Sequence, residues 1–213
     1  MNLIMKYIVI SFILCAFGET KDYTIKEIID NLHHKYDLIQ NAIVEFDKEV
    51  NLGFSGIKQS FKGKLFMKKP SYYRIEFEDQ ILVTDGVTVW AYSPINNQVI
   101  IDRYKESNNM ISPVKFMIDL PKNYYISIIE SDKKKESETV QLKLVPKDDR
   151  SFIKSVKLFV ETNKWLIRKI DILDVNDTET IYTVKNLNTN TDISQDIFVF
   201  KIPEGTEVVD IRK

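Results

Sequence analysis

From residue 41 onward the chain is written in period two. Runs such as "AIVEFDKEVNL", "YYRIEF", "VTVWAY", "TVQLKLVP" and "FIKSVKLFVE" place apolar residues at alternate positions with polar ones between them. Each run therefore has one face to bury and one to hydrate, the signature of a half-buried β-strand. Turn chemistry separates the runs: Gly53 with Gly56, Lys69-Pro70-Ser71, Asp85-Gly86, Pro94 with Asn96 and Asn97, Lys147-Asp148-Asp149, and Asn176-Asp177. Connections this short join neighbours antiparallel. Roughly eleven or twelve such strands cannot stay open and flat, so they are expected to curl into a barrel or half-barrel.

Two segments break the alternation. In "YTIKEIIDNLHHKY", Ile25, Ile28, Ile29, Leu32 and Tyr36 line one face of a helix, and Thr24 with Glu27 forms a capping box at its start. Between residues 108 and 123, Met110, Val114, Met117 and Ile118 recur at helical spacing between Pro113 and Pro121, which predicts a second, short helix. Both helices are expected to cover the mouth of the sheet.

The first 18 residues form a separate unit: Lys6 precedes an apolar run too short to span a bilayer, ending in Ala16, Phe17 and Gly18. They are expected to be a cleaved signal peptide, an N-terminal anchor being the alternative, with residues 19–213 as a single domain. Cys15 is the only cysteine, and Phe12 and Leu14 around it make a poor lipidation signal. Without it the mature chain has neither a disulfide nor a thiolate. Its net charge of about −2 offers no basic excess for phosphates, so nucleic acid is not an expected partner.

Reactive constellations are missing. His33 and His34 are the only histidines and, being adjacent on a helix, cannot share a metal as an i, i+4 pair would. No glycine pattern writes a phosphate cradle. Asp174, Asn176 and Asp177 read as turn formers rather than a calcium site. The expectation is a protein with no catalytic residues, no metal and no cofactor. What remains is apolar surface at alternate strand positions and near the helices: Phe46, Leu65, Met67, Tyr73, Trp90, Tyr92, Phe116, Met117, Phe159 and Phe198.

In "GKLFMKKPSYYRIEF" followed by "ILVTDGVTVWAYSPINNQV", the residues Gly63, Lys69, Pro70, Tyr73, Arg74, Asp85, Gly86, Trp90, Tyr92 and Pro94 come in an order that resembles the outer-membrane lipoprotein carrier family, LolA. "LVPKDD" resembles that family's mid-barrel turn, and "FVFKIPEGTEVVD" its closing strand.

The resemblance implies a mainly β fold, an incomplete antiparallel β-barrel of about 11 strands with an α-helical lid over an apolar cavity. It implies a monomeric periplasmic chaperone, not an enzyme. Such a chaperone takes the acyl chains of lipoproteins from an inner-membrane ABC-type releasing complex to an outer-membrane acceptor lipoprotein. A related lipid-binding or lipoprotein-sensing module of the same fold is the alternative. Phe46, Leu65, Met67, Trp90, Tyr92, Phe116 and Met117 are the expected cavity wall. The family's latch between lid and barrel, an Arg before the strand-turn Pro, falls on Lys69, with Arg74 as its possible substitute. Gly63, Pro70, Asp85, Gly86 and Pro94 are the motif and turn positions. With Asp85 and Gly86 as a two-residue turn, Ile81 faces Trp90, Val83 faces Thr88 and Leu82 faces Val89.

Overall fold

The computed structural model describes residues 23–104, 120, 122–132 and 138–212. Helix α1 (Ile25–Asp37) begins where the capping box places it. The Thr24 side chain accepts from the Glu27 amide, and the Glu27 carboxylate accepts from the Thr24 amide at 2.8 Å. This arrangement stabilises the first turn by about 1 kcal/mol. Of the second expected helix, Leu120, Lys122 and Asn123 are helical. Phe116 and Met117 lie outside the described residues.

The alternating runs form β1 (Asn41–Leu52), β2 (Ile57–Lys68), β3 (Tyr72–Glu76), β4 (Ile81–Thr84), β5 (Thr88–Ser93), β6 (Gln98–Arg103), β7 (Tyr124–Asp132), β8 (Thr139–Pro146), β9 (Ile153–Glu161), β10 (Leu166–Asp174), β11 (Glu179–Thr189) and β12 (Glu207–Asp210). All twelve belong to one sheet, in the order β12-β6-β5-β4-β3-β2-β1-β11-β10-β9-β8-β7. The sheet is open, its end strands β12 and β7 unjoined, so the expected incomplete barrel is seen as an unclosed sheet. Two meanders, β1–β6 and β7–β11, meet where β1 pairs with β11. Among the described residues only β12 departs from antiparallel pairing, lying parallel to β6.

Helix α1 defines an inner face. Its Ile28, Ile29 and Leu32 are buried with Leu120 against Val140, Leu142 and Leu144 of β8, Val156, Leu158 and Val160 of β9, and Ile167 of β10. Residues paired across strands share a face, so the register carries this inner face from β10 through β11 to Ala42, Val44, Phe46 and Lys48 of β1. From there it continues to Phe61, Gly63, Leu65 and Met67 of β2, Tyr73 and Ile75 of β3, and Leu82 of β4. A smaller core of Ile39, Ala42, Met67 and Tyr73 seals the α1–β1 junction on that side.

The opposite, outer face has its own cover. The segment expected as a closing strand instead turns through a 3-10 helix, Gln195–Phe198, and only Glu207–Asp210 is extended. Phe198 is fully buried, its ring 5.6 Å from that of Tyr72, and Phe200 meets Tyr92 at the same separation. An edge strand would expose every second side chain. This segment buries Phe198 and half-buries Phe200 on the sheet surface instead, and Asn97 then fixes its exit by donating to the Gly205 carbonyl at 2.9 Å.

Candidate functional site

The end of α1 is tied to the sheet from two sides. Lys69 Nζ donates to the carbonyl oxygens of Tyr36 at 3.2 Å and Asp37 at 2.8 Å, while its amide donates to the Gln40 carbonyl. These are carbonyls of the last helical turn, where the macrodipole favours a cation; that of Tyr36 also accepts from the Ile39 amide at 3.2 Å. Asn190, in the left-handed region at φ 55°, completes the clamp. Its Nδ2 donates to the Leu38 carbonyl at 3.1 Å, and its Oδ1 accepts from the Gln40 amide at 2.8 Å. Sequence reasoning missed Asn190. An Asn at the end of a strand pattern is the available signal, since Asn tolerates positive φ.

Arg74 is placed elsewhere. It pairs with Glu76 at 2.6 Å and donates to the Ile197 carbonyl at 3.3 Å, on the outer face beside the C-terminal segment. By register it shares that face with Val83, Trp90 and Tyr92. The expectation that Trp90 and Tyr92 line the wall beneath the helix is thereby corrected: both are carried on the face opposite α1. Phe159 also faces outward, beneath the Lys169 ammonium at 4.6 Å.

The hairpin register is corrected as well. Ile81 pairs with Tyr92, Leu82 with Ala91, Val83 with Trp90 and Thr84 with Val89, so four residues, 85–88, separate the last pair. Asp85 sets that loop: its Oδ1 accepts from the amides of Val87 and Thr88 at 2.8 and 2.7 Å, and Gly86 supplies φ 87°. A carboxylate that caps two amides holds the loop wider than a two-residue turn. The slip is two positions, so each side chain keeps its face. Asp174 does similar work, accepting from the amides of Asn176 and Thr178. Pro94 sits in the β5–β6 turn, its carbonyl accepting from the Asn97 amide at 3.2 Å, and Pro70 is exposed in the β2–β3 turn.

Phe46, Leu65 and Met67 do lie together on the inner face. Phe46 is edge-on to Phe77 at 5.7 Å and 5.9 Å from Tyr182. Gly63 explains how that ring fits: a Cβ there would lie within contact distance of it, so only glycine leaves room without displacing Phe46. Met67 is buried, whereas Phe46, Phe61, Leu65, Ile75, Phe77, Leu82 and Tyr182 are only half-buried. One half of the inner face is thus a filled core under α1, and the other is an aromatic floor still partly open to solvent. Lys48 lies within that floor, its Nζ 5.3 Å from the Phe77 ring centre and 5.7 Å from that of Phe61. Among the described residues no group of three or more His, Cys, Asp or Glu converges on a metal position, and no helix is long and apolar enough to cross a membrane.

The sequence and the fold resemble those of known proteins. The family model for the outer membrane lipoprotein carrier protein LolA matches residues 38–201. An outer-membrane lipoprotein carrier protein of Actinobacillus pleuropneumoniae is 23% identical over 187 residues, covering 86% of this chain and 84% of that one. An uncharacterized protein of Methanocaldococcus jannaschii is 26% identical over 96% of this chain, which spans 60% of that relative's length. Among solved structures, an uncharacterized conserved protein of Thermus thermophilus shares the fold with a TM-score of 0.57 at 13% identity, over 87% of this chain and 98% of that one.

Proposed function

Because the chain belongs to the LolA family of outer-membrane lipoprotein carrier proteins, we propose that it shields the acyl chains of lipoproteins on the half-open aromatic floor of its inner face. The observation that carries this reading is the division of that face. Under α1 the apolar side chains are packed against one another, whereas Phe46, Phe61, Ile75, Phe77 and Tyr182 keep partial exposure. A folded chain gains by burying such surface, and a floor left half-exposed is ready to take apolar area from a ligand.

The task needs no bond chemistry. Each methylene removed from water contributes about 0.8 kcal/mol, so an acyl chain of some sixteen carbons costs on the order of 10 kcal/mol to leave exposed. A carrier must cover it throughout transit, and must also let it go. Lys69 and Asn190, holding the end of α1 by a few hydrogen bonds, form a closure that can open without unfolding the core. In this reading residues 1–18 direct export and are removed, and the mature monomer works in the periplasm. There it receives lipoproteins from an inner-membrane ABC-type complex and passes them to an outer-membrane acceptor.

The test is to incubate the purified mature protein with a triacylated lipopeptide and weigh the complex by native mass spectrometry. Retention of the intact acylated species is expected, as is release of lipoprotein from spheroplasts only when the protein is added. Failure to bind any acylated species would sink the proposal. Retention of a different lipid class from periplasm would replace lipoprotein carriage by lipid binding.

A further inference from the structure

The aromatic floor contains a charge that its surroundings do not pair. Among the described residues at inward register positions of β1, β2, β3, β4 and β11, Lys48 is the only ionised side chain; its cross-strand neighbours are Phe61 and Tyr182. Two outward lysines on these strands have counter-charges: Lys64 meets Glu45 at 3.5 Å and Lys185 meets Asp47 at 2.9 Å. The Lys48 ammonium has no carboxylate or hydrogen-bond partner among the described residues. Its ammonium rests instead near the rings of Phe61 and Phe77.

Cation–π contact compensates such a charge only in part, and far less than an anionic oxygen at hydrogen-bonding distance. Any ligand that covers the floor strips water from this ammonium. An uncharged headgroup then leaves it unpaired in an apolar setting, whereas an anionic one completes it. Lysine is a compact point charge with three donors, suited to a phosphate or a carboxylate alike. Resting on the acyl-binding role argued above, we propose that the inner face selects acyl ligands bearing an anionic headgroup. The phosphate or carboxylate pairs with Lys48 while the chain lies along Phe46, Phe77 and Tyr182.

The experiment is isothermal titration of the full mature protein at about pH 8, where both anions are ionised. The ligands are dodecyl phosphate, dodecanoate and uncharged dodecanol, which share one chain length; the first two distinguish a phosphate source from a carboxylate source. The wild type is expected to bind at least one anion about tenfold more tightly than dodecanol. That ratio should fall to near one in Lys48→Gln, persist in Lys48→Arg, and be unchanged in the outward control Lys64→Gln. Dodecanol binding itself should survive in Lys48→Gln, which shows that the floor is intact. Equal affinities in the wild type, or a preference that survives Lys48→Gln, would overturn the headgroup selection while leaving acyl binding standing. Failure of the wild type to bind dodecanol or either anion would overturn both.

Discussion

The ammonium of Lys69, in the turn just after β2, lies 2.8 Å from the carbonyl oxygen of Asp37, the last residue of α1. A side chain from the β2–β3 turn thus satisfies a helix terminus across 32 residues of sequence and, with Asn190, ties the end of α1 to the sheet.

Replacing Lys69 with Ala removes two hydrogen bonds to backbone carbonyls and should cost about 1–2 kcal/mol. The loss should be local: amide exchange should quicken in the last turn of α1 and at Leu38–Gln40, with the β8–β9 core still protected. Lys69→Arg, with five donors in a planar fork, should restore protection or exceed it. Hydrogen-exchange mass spectrometry of the three proteins checks the order. If the helix is the lid, the Ala variant should also load an acyl probe faster.

Gly63 and Phe46 should behave as a coupled pair. Gly63→Ala drives its new methyl into the Phe46 ring, so the ring must leave Phe77 and Tyr182, at a cost of about 1–3 kcal/mol. In a Phe46→Ala background the same change should be close to neutral. Urea unfolding of the two single variants and the double variant gives the coupling directly, and additivity would show that the ring had never constrained position 63.

Alkaline pH should destabilise the protein through its partly buried phenols. Burial pushes the Tyr36 hydroxyl above its ordinary 10.0, against smaller opposing effects of the Ile167 amide and Arg168, and burial raises Tyr124 and Tyr182 in the same direction. The folded state then holds protons that the unfolded chain releases. Stability is therefore full below pH 10.0, the unfolded value, and is lost as pH rises from there through the raised folded value. Tyr36→Phe should flatten part of that fall. Thermal midpoints measured from about pH 8 to about pH 11 check it, and identical slopes for the two proteins would contradict it.

Features written in a few neighbouring residues were legible in advance. Thr24 and Glu27 sit three apart and cap α1 as their spacing requires. Asp85 and Asp174 bond amides two to four residues on, which identifies them as turn formers rather than reactive acids. Lys69 was singled out for a different reason, its place before Pro70 in a family pattern; its hydrogen bonds to the Tyr36 and Asp37 carbonyls are seen only in the structure. Arg74, only five residues on, went to the opposite face because strand alternation separates odd from even positions.

What the sequence by itself determined was the alternation of eleven strands, β1 to β11, the start of α1, and the absence of histidine, cysteine and glycine patterns that reaction chemistry would need. Period two says that each strand has two faces; it does not say which one will be covered. That choice fell to the tertiary structure, where α1 took one side and the segment around Phe198 and Phe200 took the other. Tyr92 therefore lies under the C-terminal cover, with Trp90 on the same face, and Lys48 lies on the aromatic floor. The physical reason is distance along the chain: Phe198 finds Tyr72, and Asn190 finds Leu38, across more than a hundred residues, and no local pattern encodes a partner that far away.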